Sequence, residues 1–166
     1  MKLFSKRIDP STDYDTREEG HRYAQRRYRA RNKAVVSAKE MVNKCDVQAQ
    51  ALNLNFEEAK KKFVELSDII ISEYKSETPV TQEDIFIQVV GFFLMKVALG
   101  KFDFHYTQTS VNLYNDLYER DEEDLPFPSY GGPVDKLMRS RPLFNRKLIL
   151  FYICMVKNYK PINYNE

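Results

Sequence analysis

A short segment near the amino terminus, residues 21–33, has the side chains best suited to binding chemistry. It contains six basic residues, two tyrosines and no acidic residue. At helical spacing, Arg22, Arg26 and Arg29 share one side and Arg27 and Arg31 share another. Clustered cations of this kind suit phosphate backbones or an acidic protein surface. We therefore predict a partner or nucleic-acid contact at Arg22, Arg26, Arg27, Arg29, Arg31 and Lys33.

A second cluster is acidic and comprises Asp116, Glu119 and the four consecutive residues 121–124. Several carboxylates on one loop could hold Mg²⁺ or Ca²⁺, which prefer oxygen ligands. The spacing does not match a calcium loop, because no glycine marks the turn and no glutamate closes a twelve-residue frame. We predict an acidic docking patch for a basic surface and no metal site.

The sequence has no pattern that is typical of an active site. It lacks a glycine-rich phosphate loop, a cysteine pair at metal-binding spacing and a nucleophile elbow. The two histidines, His21 and His105, have no second His, Cys or carboxylate at a convincing ligand spacing. We expect an exposed His21, a His105 that packs at the surface or in the core and binds no metal, no enzymatic activity and no cofactor.

The charge is strongly segregated along the 166 residues, although the net charge is only +2. Residues 1–50 contain 12 basic and 7 acidic residues, residues 51–135 contain 7 and 16, and residues 136–166 contain 7 and 1. Such asymmetry orients partners on approach. Basic ends and an acidic middle favour packing between chains, so we predict other protein subunits as partners and a homo-oligomer.

The location of the protein is constrained by its apolar segments and its cysteines. The amino terminus becomes polar at once, which argues against a signal peptide. The longest apolar stretch, residues 85–99, is shorter than a membrane span. Cys45 and Cys154 lie in apolar stripes, as expected for buried thiols in a reducing compartment. We expect a cytoplasmic or virion protein without a membrane span.

The pattern of helix caps and apolar spacing predicts an all-α fold, a single-domain bundle of about five to six helices. An extended arm over residues 1–14 precedes a helical domain over residues 15–159, and residues 160–166 form a polar tail. The first helix begins at Asp15, and its apolar stripe runs from Ala34 to Leu52. Capping signatures begin a second helix after Asn55 and a third over residues 82–99, which ends at Gly100.

The third helix is apolar on nearly all sides and should be central, with Lys96 reaching solvent or a carboxylate. Residues 101–107 are predicted to be extended, and further helices are predicted at 109–120, 133–140 and 145–159. Between them, the acidic segment rich in proline and glycine, residues 121–133, is a long connection of the kind associated with partners.

This loop and the carboxyl-terminal tail contain aromatic residues that could anchor a partner at low entropic cost. We predict docking contacts at Phe127, Tyr130, Tyr159 and Tyr164. The alternative is that the loop packs on its own domain and the tail is solvated.

Pro79, Asp84 and Ile85 lead into the apolar run 92–95, and a Leu-Pro-Phe turn at 125–127 leads toward Leu137-Met138-Arg139. In this organisation the chain resembles the small helical head-to-tail connector proteins of tailed phages. The resemblance implies a ring-forming adaptor whose arms reach its neighbours. The leading hypothesis is thus a non-enzymatic structural subunit of a larger assembly, such as a virion connector. The alternative is a small nucleic-acid-binding or regulatory protein that uses the arginine-rich helix 21–33.

Overall fold

The computed structural model describes residues 17–125 and 132–163, and the described elements are all helices. One 3-10 helix, Glu122–Asp124, accompanies six α-helices. These are α1 (Arg17–Ala51), α2 (Phe56–Glu73), α3 (Gln82–Ala98), α4 (Phe104–Tyr118), α5 (Pro133–Ser140) and α6 (Pro142–Asn158). The prediction of an all-α helical bundle is confirmed.

The chain divides into two compact units, Met1–Ser37 and Ala38–Glu166. In the first unit, the structure describes the helical residues 17–37. In the second unit, the remainder of α1 joins α2 to α6, and the most extensive pairing is that of α2 with α6. The domain limits predicted at residues 14 and 159 stay predictions, and the arm itself lies outside the described residues.

Helices α2 and α3 begin where their capping signatures predict. The Asn55 side chain accepts a hydrogen bond from the Glu58 amide at 2.9 Å, and the Glu58 carboxylate accepts one from the Asn55 amide. Thr81 and Asp84 make the same reciprocal pair at the start of α3. Each pair satisfies amides that have no partner within the helix. At the far end of α3, Gly100 has a φ of 72°, the left-handed conformation predicted there.

The core of the second unit is centred on α3, as the sequence predicts. Phe86 is buried, and its ring lies 5.2 to 5.7 Å from the rings of four aromatic residues on α2, α4 and α6. These residues are Phe63, Tyr114, Tyr118 and Tyr152. Aromatic pairs at such separations stabilise a core beyond the area they bury. The α1 stripe contributes Ala38, Val42, Cys45 and Ala49, all buried.

Lys96 differs from its expected position. Its side chain is only 2% exposed, and its ammonium lies 4.2 Å from the centre of the Phe102 ring. A cation above an aromatic face is attracted by the negative charge of that face. The Phe102 ring therefore stabilises the Lys96 ammonium, for which solvent or a carboxylate was predicted. Burial lowers the pKa of Lys96, while the Asp46 charge opposes this shift.

Two helix starts and one stripe residue were wrongly predicted. Helix α4 begins at Phe104, because the Asp103 side chain accepts a hydrogen bond from the Tyr106 amide and caps a helix where an extended segment was expected. Helix α6 begins at Pro142, three residues early, because proline is tolerated in the first helical turn. Leu52 follows the last residue of α1 and is 42% exposed.

Both cysteines are buried free thiols, as predicted. The Cys45 thiol donates a hydrogen bond to the Arg146 carbonyl at 3.1 Å, and burial raises the pKa of Cys45 to about 11. Over the residues described, no helix combines the length and apolar character needed to cross a membrane.

Candidate interaction site

Four cations form a single row on the first part of α1. They follow one another at intervals of four, three and four residues, and all four are exposed. Because an α-helix turns by about 100° per residue, such a row occupies an arc of about 60°, and it extends about 16 Å along the axis. We call this row the cationic face: Arg22, Arg26, Arg29 and Lys33.

A polar row lies beside the cationic face at the same intervals: His21, Gln25, Tyr28 and Asn32. His21 and Gln25 are hydrogen-bonded at 3.0 Å, and the Asn32 side chain donates to the Tyr28 carbonyl at 2.8 Å. The Tyr28 ring is 68% exposed and lines a shallow depression with Arg29. Of the two tyrosines noted in the sequence of this segment, Tyr28 is thus an exposed aromatic side chain next to the cations.

Among the residues that the structure describes, most of the cationic face has no counter-charge. Arg22 pairs with Glu18 one turn earlier, at 2.6 Å. Over residues 17–125 and 132–163, Arg26, Arg29 and Lys33 make no ion pair. The other two predicted contact residues, Arg27 and Arg31, have side chains that lie outside the described part of the structure.

The acidic cluster forms a short ordered segment after α4. Five carboxylates are exposed, and we call them the acidic segment: Glu119, Asp121, Glu122, Glu123 and Asp124. The 3-10 turn is closed by the hydrogen bond from the Asp124 amide to the Asp121 carbonyl, and Gln108 donates to the Glu122 carboxylate at 3.3 Å. Arg120 pairs instead with Glu83 of α3 at 2.6 Å. The segment therefore keeps its negative charge at the surface.

The structure separates Asp116 from this segment, contrary to the cluster read from the sequence. The Asp116 carboxylate accepts hydrogen bonds from the Tyr159 hydroxyl and, at 3.4 Å, from the Ile162 amide. Asp116 and Tyr159 are 43 residues apart, so local patterns carried no signal of this contact. Asp116 holds the carboxyl-terminal segment and does not join the other carboxylates.

Comparison with known proteins does not place the chain in a family. No protein-family model, curated protein or solved structure matches it. The function of the chain must therefore be inferred from its own sequence and surfaces.

Of the predicted docking anchors, the structure describes Tyr159. Its hydroxyl donates to Asp116, and its ring lies 5.9 Å from the ring of Phe56. With Leu117 and Ile162, these residues line a cavity of about 480 Å³ at the start of α2. Tyr159 thus contacts its own domain in the single chain. Packing on the domain was the alternative stated for the loop, whereas a solvated segment was the alternative stated for the tail. Phe127, Tyr130 and Tyr164 lie outside the described residues.

We next consider the side chains among the described residues that could bind a metal ion. No group of three or more His, Cys, Asp or Glu side chains within them is placed to hold a metal ion. His21 and His105 are both exposed, on α1 and α4 respectively. Two of the described surfaces can bind a surface of opposite charge, the cationic face and the acidic segment.

Proposed function

We propose that the chain is a non-enzymatic structural subunit of a larger multi-chain assembly. The observation that carries the proposal is the exposure, on one chain, of an ordered cationic face and an ordered acidic segment. Each is exposed, and each carries charge that a neighbouring chain can neutralise. Surfaces of opposite sign steer association and fix the relative orientation of partners.

The form of the assembly follows from the resemblance noted in the sequence. The proposed role is a ring-forming adaptor in the virion of a tailed phage, and the proposed location is the cytoplasm or the virion. The residues that carry the resemblance lie at the start of α3 and in α5. The proposal of a phage adaptor is therefore supported by local sequence and by the all-helical fold.

The test is the molar mass of the purified protein by size-exclusion chromatography with light scattering, over a range of concentrations. We expect complexes larger than one chain at about 0.1 M salt that dissociate at about 1 M salt, because the Debye length falls from about 10 Å to about 3 Å. A chain that remains monomeric in all conditions and copurifies with no other protein from its native source would contradict the proposal.

A second candidate function is nucleic-acid binding by the cationic face. The exposed Tyr28 favours it, because an aromatic ring beside a row of cations can stack on a base while the cations contact phosphates. The measurement is affinity for single-stranded and duplex oligonucleotides at increasing salt. Four phosphate contacts would give a logarithmic slope of about −3 for single strands and about −4 for duplexes. A flat salt response would exclude this function.

A further inference from the structure

The cationic face and the acidic segment are complementary in charge. Arg26, Arg29 and Lys33 make no ion pair within residues 17–125 and 132–163, and the same is true of Glu119, Glu123 and Asp124. All six side chains are exposed in the single chain. Each set therefore has room for a partner of the opposite sign.

The acidic segment also fits within the length of the cationic face. The cationic face extends about 16 Å along α1. The acidic segment spans six residues and contains the 3-10 turn Glu122–Asp124, so it measures about 10 to 13 Å. One acidic segment can therefore lie along one cationic face and bring its carboxylates near successive cations.

We propose that the cationic face of one copy of this chain docks on the acidic segment of a second copy. This inference rests on the proposed function and names the partner of the same surface. A second copy supplies both charges at once, so each contact neutralises a cationic face and an acidic segment together. A nucleic acid would cover only the cationic face and would leave the acidic segment without a partner.

The geometry of the contact determines the kind of assembly. The contact joins two different surfaces, so it is heterologous, and repeated use closes a ring or extends a filament. Exposed ion pairs are individually weak and are screened by salt. The docking is therefore reversible and strongly salt-dependent. Tyr28 lies beside the cationic face and is exposed.

The test uses charge reversal on the full chain. The face variant carries Arg26→Glu, Arg29→Glu and Lys33→Glu, and the segment variant carries Glu119→Lys, Glu123→Lys and Asp124→Lys. Each variant should weaken self-association at least about tenfold at low salt, because three attractive pairs become repulsive. The six-fold variant, with both changes in one chain, should recover association to within a few-fold of the original protein.

The matched control reverses three exposed lysines elsewhere, with Lys61→Glu, Lys75→Glu and Lys101→Glu. It changes the net charge as much as the face variant does, and it should leave self-association unchanged. Sedimentation velocity gives the association constant for every variant, and circular dichroism melting checks that each is folded.

The outcomes separate the docking proposal from the proposed function. If the original protein associates and neither single set of reversals weakens it, the docking proposal is wrong and the assembly uses another surface. Failure of the six-fold variant to recover also overturns the docking proposal. A chain that is monomeric alone but copurifies with a different protein overturns the docking proposal and leaves the structural role standing. Loss of oligonucleotide binding in the face variant, without any self-association of the original protein, assigns the face to nucleic acid.

Discussion

Two parts of α1 have the same spacing of residues and opposite surroundings. The first part presents an exposed row at intervals of four, three and four: Arg22, Arg26, Arg29 and Lys33. The second part has a buried row at the same intervals: Ala38, Val42, Cys45 and Ala49. Periodicity locates a face of a helix, and the chemistry of the side chains decides whether that face stabilises the fold or remains available to a partner.

The two parts of α1 should therefore differ in their effect on stability. Changes in the core of the second unit should lower the free energy of unfolding, whereas changes on the cationic face should leave it almost unaltered.

The largest effect is expected for Phe93→Ala in the central helix. Phe93 is 1% exposed, and its ring lies 4.7 Å from that of Tyr152 and 5.1 Å from that of Phe102. Removing it leaves a cavity, so the free energy of unfolding should fall by about 3 to 5 kcal/mol. Urea denaturation measures the loss. Phe104→Ala is the matched control, since Phe104 is 77% exposed and should cost less than about 0.5 kcal/mol. Equal losses at the two positions would show that α3 is not the packed centre.

The second prediction concerns alkaline pH and uses the buried row of α1. Burial raises the pKa of Cys45 from 9.0 to about 11, and it raises that of Tyr118 to about 12. The folded state therefore holds these protons more tightly than the unfolded state. The contribution of the protonated Cys45 thiol to the free energy of unfolding is fully present below pH 9. It is lost as the pH rises toward 11, which lowers the free energy of unfolding by about 2 to 3 kcal/mol.

The check is urea denaturation at closely spaced pH values between 8 and 11. Cys45→Ala is the control, because removing the thiol should make the decline with pH shallower. The same stability at both ends of this range would mean that Cys45 is not buried as the fold requires.

The elements that could be predicted from the sequence are those whose determinants are local. The capping residues of α2 and α3 lie within three residues of each other, and Gly100 marks the end of α3 by its own conformational freedom. The sequence predicted the start of α4 too late, because the aromatic residues there favour an extended segment. The Asp103 side chain instead caps a helix that begins at Phe104. The position of Lys96 against Phe102 depends on tertiary packing, which periodicity does not describe.

In the candidate site too, some features depend on local sequence and others depend on tertiary contacts. Helical spacing alone placed Arg22, Arg26 and Arg29 on one side of a helix, and the structure adds that their side chains are exposed. The separation of Asp116 from the acidic segment was not predictable, because it arises from a contact with Tyr159 across 43 residues. The positions of the charges follow from local sequence, whereas tertiary contacts determine which of them share a surface.

The third prediction tests the corrected start of α4. Asp103→Ala removes the acceptor that the Tyr106 amide uses at 3.1 Å, so it should cost about 1 kcal/mol. Asp103→Asn should cost much less, since asparagine is an equally good capping residue. Chemical denaturation of both variants gives the difference. Identical stability of the alanine variant and the original protein would indicate that α4 begins later, near the position predicted from the sequence.

The smallest effect on stability is expected on the cationic face itself. The variant carries Arg26→Gln, Arg29→Gln and Lys33→Gln together. Glutamine has nearly the same helix propensity as arginine and lysine, and the three side chains have no ion pair within residues 17–125 and 132–163. Each change should therefore alter the free energy of unfolding by no more than about 0.5 kcal/mol.

In the buried row of the same helix, Val42→Ala is the comparison, and it should cost about 2 kcal/mol because Val42 is fully buried. Thermal melting followed by circular dichroism measures both variants. If the glutamine variant loses its cooperative transition, the cationic face stabilises the fold, and the difference between the two parts of α1 disappears. If it melts like the original protein, these cations contribute almost nothing to the stability of the single chain. A loss of self-association in that same folded variant then assigns their role to contacts between chains.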